Sequence, residues 1–198
     1  MNSGRSWWVG LVALVTGVQY PVLEAVAASA WTGPPYRYPV DYISDLGASG
    51  SPLAVVMNAA FVLQGLGFLV VGLVVARRAG GARRHLLVVF TACHAVGNVL
   101  VAGFPSSSGS VLHVVGAVLA IVGGNLAAIT ASHVRWLALP PALGLVSALF
   151  ISRSEFHGLW ERGSVYSITL WEIAFGVVLL LAHRRERAGR RLGESAAL

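Results

Sequence analysis

Apolar residues fill six long stretches of this chain, separated by short segments in which arginine, aspartate, glycine and proline collect. A helix needs about 20 such residues to cross a hydrocarbon core about 30 Å thick, because backbone groups in lipid must be hydrogen-bonded within the segment. The stretches run from Trp7 to Ala28, Pro52 to Ala76, Leu86 to Phe104, Val111 to Ser132, Leu137 to Ile151 and Val165 to Ala182. They predict an all-α fold, a polytopic membrane helix bundle of six transmembrane helices. It forms one domain over residues 1–198 with a basic tail over 183–198. The fifth stretch is the shortest. Pro140 and Pro141 lie near its start, where a helix tolerates proline because first-turn amides have no intrahelical acceptor.

Composition supports this reading. Of the 198 residues 11% are charged and 56% hydrophobic, against about 25% charged in soluble domains. Mean hydropathy is +0.73 and the isoelectric point near 10.4. A formal charge of +6 would suit nucleic acid, but the arginines sit between apolar stretches rather than among exposed aromatics, which argues against that partner. The single cysteine, Cys93, lies inside an apolar stretch, so an intramolecular disulfide and a thiol metal site are excluded; no metal and no cofactor is expected. Every basic residue is arginine, a usage that fits a high-GC bacterial genome.

The arginines set the expected orientation, since cytoplasmic loops retain positive charge during insertion. Arg5, Arg77, Arg78, Arg83, Arg84, Arg135, Arg184, Arg185, Arg187, Arg190 and Arg191 fall on one side, and Arg37, Arg153 and Arg162 on the other. The expectation is a multi-pass protein of the cell membrane with both termini cytoplasmic. Five crossings would export the arginine-rich tail. Arg5 ahead of an apolar stretch, with Ala28-Ser29-Ala30 behind it, also fits a leader cleaved after Ala30. However, Gln19, Tyr20, Pro21 and Glu24 lengthen the gap beyond what a leader normally has, and cleavage would leave every loop on the same side.

Within the spans, Gly116, Ala120, Gly124, Ala128 and Ser132 recur every fourth residue, a narrow face suited to close helix approach. Packing inside the chain is the expected use, with a membrane-protein partner or a homodimer through Gly116, Ala120 and Gly124 as the alternative. Trp7, Trp8, Trp31 and Trp136 fall near span ends, as interfacial anchors do. Glu24, His94, Asn98 and Glu172, with Gln19, Gln64 and Asn125, are polar residues at membrane depth that must face the interior and find partners.

On the outer side, Asp41 and Asp45 lie between the first two spans. Glu155, His157, Glu161 and Arg162 lie in the segment from Ser152 to Ser164, and His113 opens the fourth span. Asp45, Asn58, His113, Glu161 and Arg162 are expected either to form a polar latch, with Asp45 to Arg162 as one pairing, or to bind a ligand. Asp45, His113 and Glu161 are also the candidate catalytic set, because acid and base groups converging at a membrane surface are the minimum for transfer chemistry. Ser44 is adjacent to Asp45 but has no evident base.

Ile43-Ser44-Asp45-Leu46-Gly47, followed by Pro52, Asn58, Phe61 and Gly65, resembles the first motif of the membrane family catalogued as domain of unknown function 998. Gly103-Phe104-Pro105, His113 with Ala117, and Gly158 before Glu161-Arg162 resemble its later motifs in order. The chain departs from the family at Ser106, Ser107 and Ser108, where an acidic residue is frequent, which argues against a metal there. The pattern is also distantly similar to the damage-regulated autophagy modulator superfamily of six-span proteins. The resemblance implies a fold and a lipid-related role, and no activity.

The reading carried forward is non-enzymatic binding of membrane lipid or a membrane partner. An outer-leaflet lipid-modifying enzyme using Asp45, His113 and Glu161 is the alternative. A small-solute or proton-coupled transporter, with a path through Glu24, His94 and Glu172, is the third.

Overall fold

The computed structural model describes residues 7–195, with side chains as far as residue 189. Arg5, the side chains of Arg190 and Arg191, and residues 196–198 of the basic tail therefore lie outside the described residues. The helices are α1 Trp7–Ser29, α2 Ala54–Arg78, α3 Gly81–Gly103, α4 Val111–Ala131, α5 Arg135–Ala148 and α6 His157–Ser195. Two 3₁₀ turns, Ile43–Gly47 and Ser106–Ser108, lie between them. Each helix packs on the next, and α6 returns to α1, so the six close into a ring in sequence order.

Unlike a soluble protein, the ring is apolar on its outside as well as in its core, and polar side chains are buried within it. Helix α1 buries Val9, Gly10, Ala13, Thr16, Gly17, Tyr20, Glu24 and Ala27, a stripe at helical spacing that includes a carboxylate. Outward it shows Val15, Val22 and Val26, and the other helices show Val55, Val111, Leu139 and Leu143. Gln64, Thr91, His94, Asn125 and Glu172 are buried inside. Apolar side chains facing out and polar ones facing in is the arrangement that lipid, not water, stabilises. Helices α1, α2, α3, α4 and α6 are long and apolar enough to cross a membrane.

The structure differs from the sequence reading at three places. Helix α3 begins at Gly81 rather than Leu86, and its first turn carries Arg83 to the end of α4. There the Arg83 guanidinium donates to Thr130 O at 2.9 Å and Ala131 O at 3.1 Å, satisfying carbonyls that a helix terminus leaves open. Helix α6 begins at His157, not Val165, so Glu161 and Arg162 are helical rather than in a loop, and it continues through the basic tail to Ser195. Helix α5 has 14 residues, about 21 Å at about 1.5 Å per residue, shorter than a spanning helix. Pro140 and Pro141 remove two donors from its ladder. After Ala148 the chain leaves the helix through turns in which Leu149 N bonds Val146 O and Phe150 N bonds Ser147 O.

The small-residue face of α4 is taken up within the chain. A Cβ on Gly97 of α3 would collide with Ala120 N and Gly116 O, and one on Gly116 would meet Gly97 O at 3.0 Å. Gly124 packs against the His94 ring and Ile168. This stripe is an α3–α4 seam with α6 behind it.

Gly97→Ala should therefore destabilise the fold by about 1–3 kcal/mol, the usual cost of overpacking a tight contact. Gly103→Ala, where nothing lies within 4 Å of the added atom, should stay within about 0.5 kcal/mol of the parent. Denaturant unfolding in detergent micelles measures both.

Candidate functional site

Two charges of opposite sign meet at the end of the ring away from the chain termini. Glu24, one turn before the end of α1, is completely buried. Arg162, in the second turn of α6, donates Nε–H to Glu24 Oε1 at 2.9 Å, and its Nη2 lies 2.8 Å from the same oxygen. Tyr166, four residues further along α6, donates its hydroxyl to Glu24 Oε2 at 2.7 Å. Both carboxylate oxygens are thus satisfied, the condition under which a buried ion pair recovers its desolvation cost.

The rest of the guanidinium holds the outer loop. Nη1 donates to Asp41 O at 2.9 Å, to Gly158 O at 3.0 Å and to Tyr38 O. Nη2 donates to the Tyr36 hydroxyl. The rings of Tyr36 and Tyr38 flank the cation at 5.5 and 4.8 Å. Gly158 makes this approach possible, since a Cβ there would strike Asp41 O and Tyr38 O. The loop in turn caps α6: Gly158 N donates to Val40 O at 3.2 Å and Leu159 N to Pro39 O at 2.9 Å, satisfying first-turn amides that the helix cannot. Burial pushes the Tyr36 phenol above its ordinary value, against the opposing pull of Arg162. At Asp41 burial also pushes upward, but the hydrogen bonds and charge of Arg37 outweigh it and hold the carboxyl below the usual range.

Next to this clamp, the turn Ile43–Gly47 lies over the ring with Ile43 and Leu46 buried beneath it. Asp45 caps it by accepting Tyr42 N at 3.1 Å, and accepts the Ser106 hydroxyl at 3.1 Å. Asn58 of α2 donates to Gly47 O at 3.0 Å. Glu161 accepts Ile43 N at 2.5 Å. Ser49 and Ser107 hydroxyls meet at 3.0 Å. His113 points at Phe104 O, 2.8 Å away; a carbonyl only accepts, so Nδ1 carries the hydrogen.

The turn separates two spaces. Above it is an outer basin of about 900 Å³ lined by Trp31, Arg37, Asp41, Asp45, Ser106 and Ser107, among others. Below it is a cavity of about 40 Å³ that reaches from Ser44, Glu161 and His113 at the outer end to Asn98, His94 and Gln64 in the interior. Deeper still, Gln64 Nε2 donates to Glu172 Oε2 at 2.6 Å.

Several expected residues are brought together, though not as expected. Arg162 pairs with Glu24 instead of Asp45, because Asp45 is occupied by its own turn and by Ser106, while Glu24 would otherwise be a lone buried charge. Glu161 and Arg162, adjacent on α6, point to different partners. Asp45, His113 and Glu161 are not hydrogen-bonded to one another: Asp45 opens to the basin, the other two to the cavity. Glu24, His94 and Glu172 do not form a chain. His94 donates to Ala120 O at 2.7 Å and bonds Asn98, and Glu172 bonds Gln64. Among the described residues no three His, Cys, Asp or Glu side chains gather as metal ligands. Tyr36, Tyr38 and Tyr166 were missed as Arg162 partners; the aromatic residues flanking Arg37 were the available signal.

A helical ring with an apolar outside, a charge pair and polar groups buried inside, and five helices long and apolar enough to cross a membrane defines an integral membrane protein. The chain belongs to the family described as protein of unknown function (DUF998), whose model matches residues 14–178 and so takes in both members of the charge pair. No curated protein and no solved structure matches it.

Arg162→Ala should cost about 3–5 kcal/mol of stability, because it strands Glu24 as a buried unpaired charge. Arg162→Lys should recover only part of that, since an ammonium lacks the fork that reaches Glu24, Tyr36 and the loop carbonyls together. Thermal melting in nanodiscs ranks the three. The Arg37 contact to Asp41 stabilises the fold above the unfolded carboxyl value of about 4 and is lost as pH falls through the lowered folded value. Asp41→Asn should therefore slightly flatten the acid limb of melting temperature against pH; the effect is small because Arg37 is exposed.

Proposed function

We propose that the protein crosses the cell membrane six times with both ends in the cytoplasm, and that its outer basin binds the headgroup of an amine-bearing lipid without transforming it. The topology is supported by the arginines. Arg77, Arg78, Arg83, Arg84, Arg135, Arg184, Arg185 and Arg187 lie at one end of the ring, and Arg37, Arg153 and Arg162 at the other. Helix α5 starts at the first end, beside the Arg83 cap, and its far half packs at Ser167 and Asn125 through Gly144. With the turns after it, α5 carries the chain back to α6 at the latch end.

The observation that carries the headgroup reading is Asp45. It lines the basin as a carboxylate with two neutral donors, and among the described residues no cation pairs with it. Arg37 is already neutralised by Asp41 at 3.0 Å. A single free negative charge, serine hydroxyls and the Trp31 ring suit a primary ammonium, which the charge attracts and an aromatic face also accepts. Binding rather than catalysis is supported by the separate engagement of Asp45, His113 and Glu161, which leaves no base against a nucleophile.

Native mass spectrometry of protein extracted from equimolar phosphatidylethanolamine and phosphatidylglycerol tests this. The amine lipid should be retained preferentially, and Asp45→Asn should weaken that retention about tenfold or more, the ratio expected for a lost charge-assisted hydrogen bond. Equal retention of both lipids, or a preference that survives Asp45→Asn, would contradict it.

A further inference from the structure

Two buried acceptor atoms in the ring, Gln64 Oε1 and Glu172 Oε1, have no donor among the described residues, although their side chains are bonded to each other. Both side chains are shut off from the surface, Glu172 at 0% exposure and Gln64 at 2%. A carboxyl at membrane depth with no cation beside it is expensive and usually functional. Gln64 also lines the inner end of the 40 Å³ cavity, whose outer end is Ser44, Glu161 and His113. That volume is too small for a solute or an acyl chain but admits about two or three waters, at about 15 Å³ each. Empty cavities are apolar, whereas this one carries, among apolar side chains such as Phe61, Val101 and Ile168, a carboxyl, two imidazoles, two amides and two hydroxyls from Ser44 and Tyr20.

We propose that this cavity is a water-filled proton path from the outer face to Glu172, and that Glu172 is the proton-exchanging carboxyl of the bundle. A proton enters beneath the Ile43–Gly47 turn, at Glu161 or the water next to it. It passes from water to water as far as Gln64, which lines the cavity. From there it reaches Glu172, which lies behind Gln64 and does not itself line the cavity, at the oxygen that Gln64 does not engage. Release follows the same route in reverse, and only O–H bonds form and break. Gln64 positions the carboxyl by donating to Oε2, leaving its own Oε1 to accept from the nearest water. His94 forms a wall of the path. Its Nδ1 hydrogen is committed to Ala120 O and its Nε2 accepts from Asn98.

Few other titratable groups lie on the inner faces of the elements packed around Glu172, whose own side-chain hydrogen bond is to Gln64. Helix α1 contributes Tyr20 and Glu24, the latter closed by Arg162 and Tyr166. Helix α3 contributes His94. At this depth α2 offers Gln64 and α4 Asn125, neither titratable, and α5 offers none. The proposal does not depend on what occupies the outer basin.

Infrared difference spectroscopy tests it on protein in phosphatidylcholine vesicles, sorted by protease access to the C-terminal tail so that the Glu161 end faces the bulk solution. The carboxyl band of Glu172, identified by its disappearance in Glu172→Gln, should respond to pH and to deuterium oxide applied on the Glu161 side. Ala117→Leu, which fills the cavity from α4 while leaving Glu172 in place, should slow that exchange by about tenfold or more. Ala117→Val is the smaller plug if the leucine variant does not fold. A band that ignores pH on the Glu161 side, one that follows the arginine-rich side, or exchange unchanged by the plug would each overturn the proposal.

Discussion

A buried ion pair between the first helix and the last holds this structure in its closed form. Glu24 and Arg162 are 138 positions apart, and neither is stable alone within an apolar bundle. An isolated charge there would cost several kcal/mol. Paired, they draw α1 against α6 and close the ring that the other helices form by following one another in sequence. The remaining guanidinium donors are spent on Tyr36, Tyr38 and Asp41, so the outer loop is ordered by the same group. Because that loop supplies the carbonyls that cap α6, Arg162 also fixes the start of its own helix.

The polar interior follows from this closure. With the ring shut, Gln64, His94, Asn98, Asn125 and Glu172 face one another and not lipid, and most of their donors find partners: Asn125 donates to Ser164 O and Ile121 O, and Ser167 to Asn125. The Ile43–Gly47 turn, held by Glu161, Asn58 and Ser106, closes the outer end. Its successive residues face opposite ways, Ser44 down to the cavity and Asp45 up to the basin, so one short turn separates the outer basin from the interior cavity. The two spaces are neighbours with different chemistry.

Much of the fold was legible in the chain. The apolar stretches located every helix, because their lengths report directly on the energetics of crossing lipid. Helix ends were less legible: α3 and α6 begin in polar segments, at Gly81 and His157, whose helicity comes from tertiary capping by Val40 and Pro39 and from the Arg83 contact to α4. The motifs from Ile43 to Gly47 and from Gly158 to Arg162 pointed to the family and to the right neighbourhood. The partners were not legible. Nothing local distinguishes Glu24 from Asp45 as the mate of Arg162, since the choice depends on which carboxylate is already satisfied once the helices have packed. The extent of α5 was not legible either: apolar content runs on to Ile151, whereas the helix itself has 14 residues and gives way to turns after Ala148.

A double-mutant cycle on Glu24 and Arg162 tests the central claim most directly, using Glu24→Gln, Arg162→Met and the pair, with unfolding free energy measured in nanodiscs. If the ion pair closes the ring, each single change is strongly destabilising and the double change is milder than their sum, by a coupling energy of about 2 kcal/mol or more. Additivity within about 0.5 kcal/mol would mean that the two charges are held independently and that ring closure rests on helix packing alone.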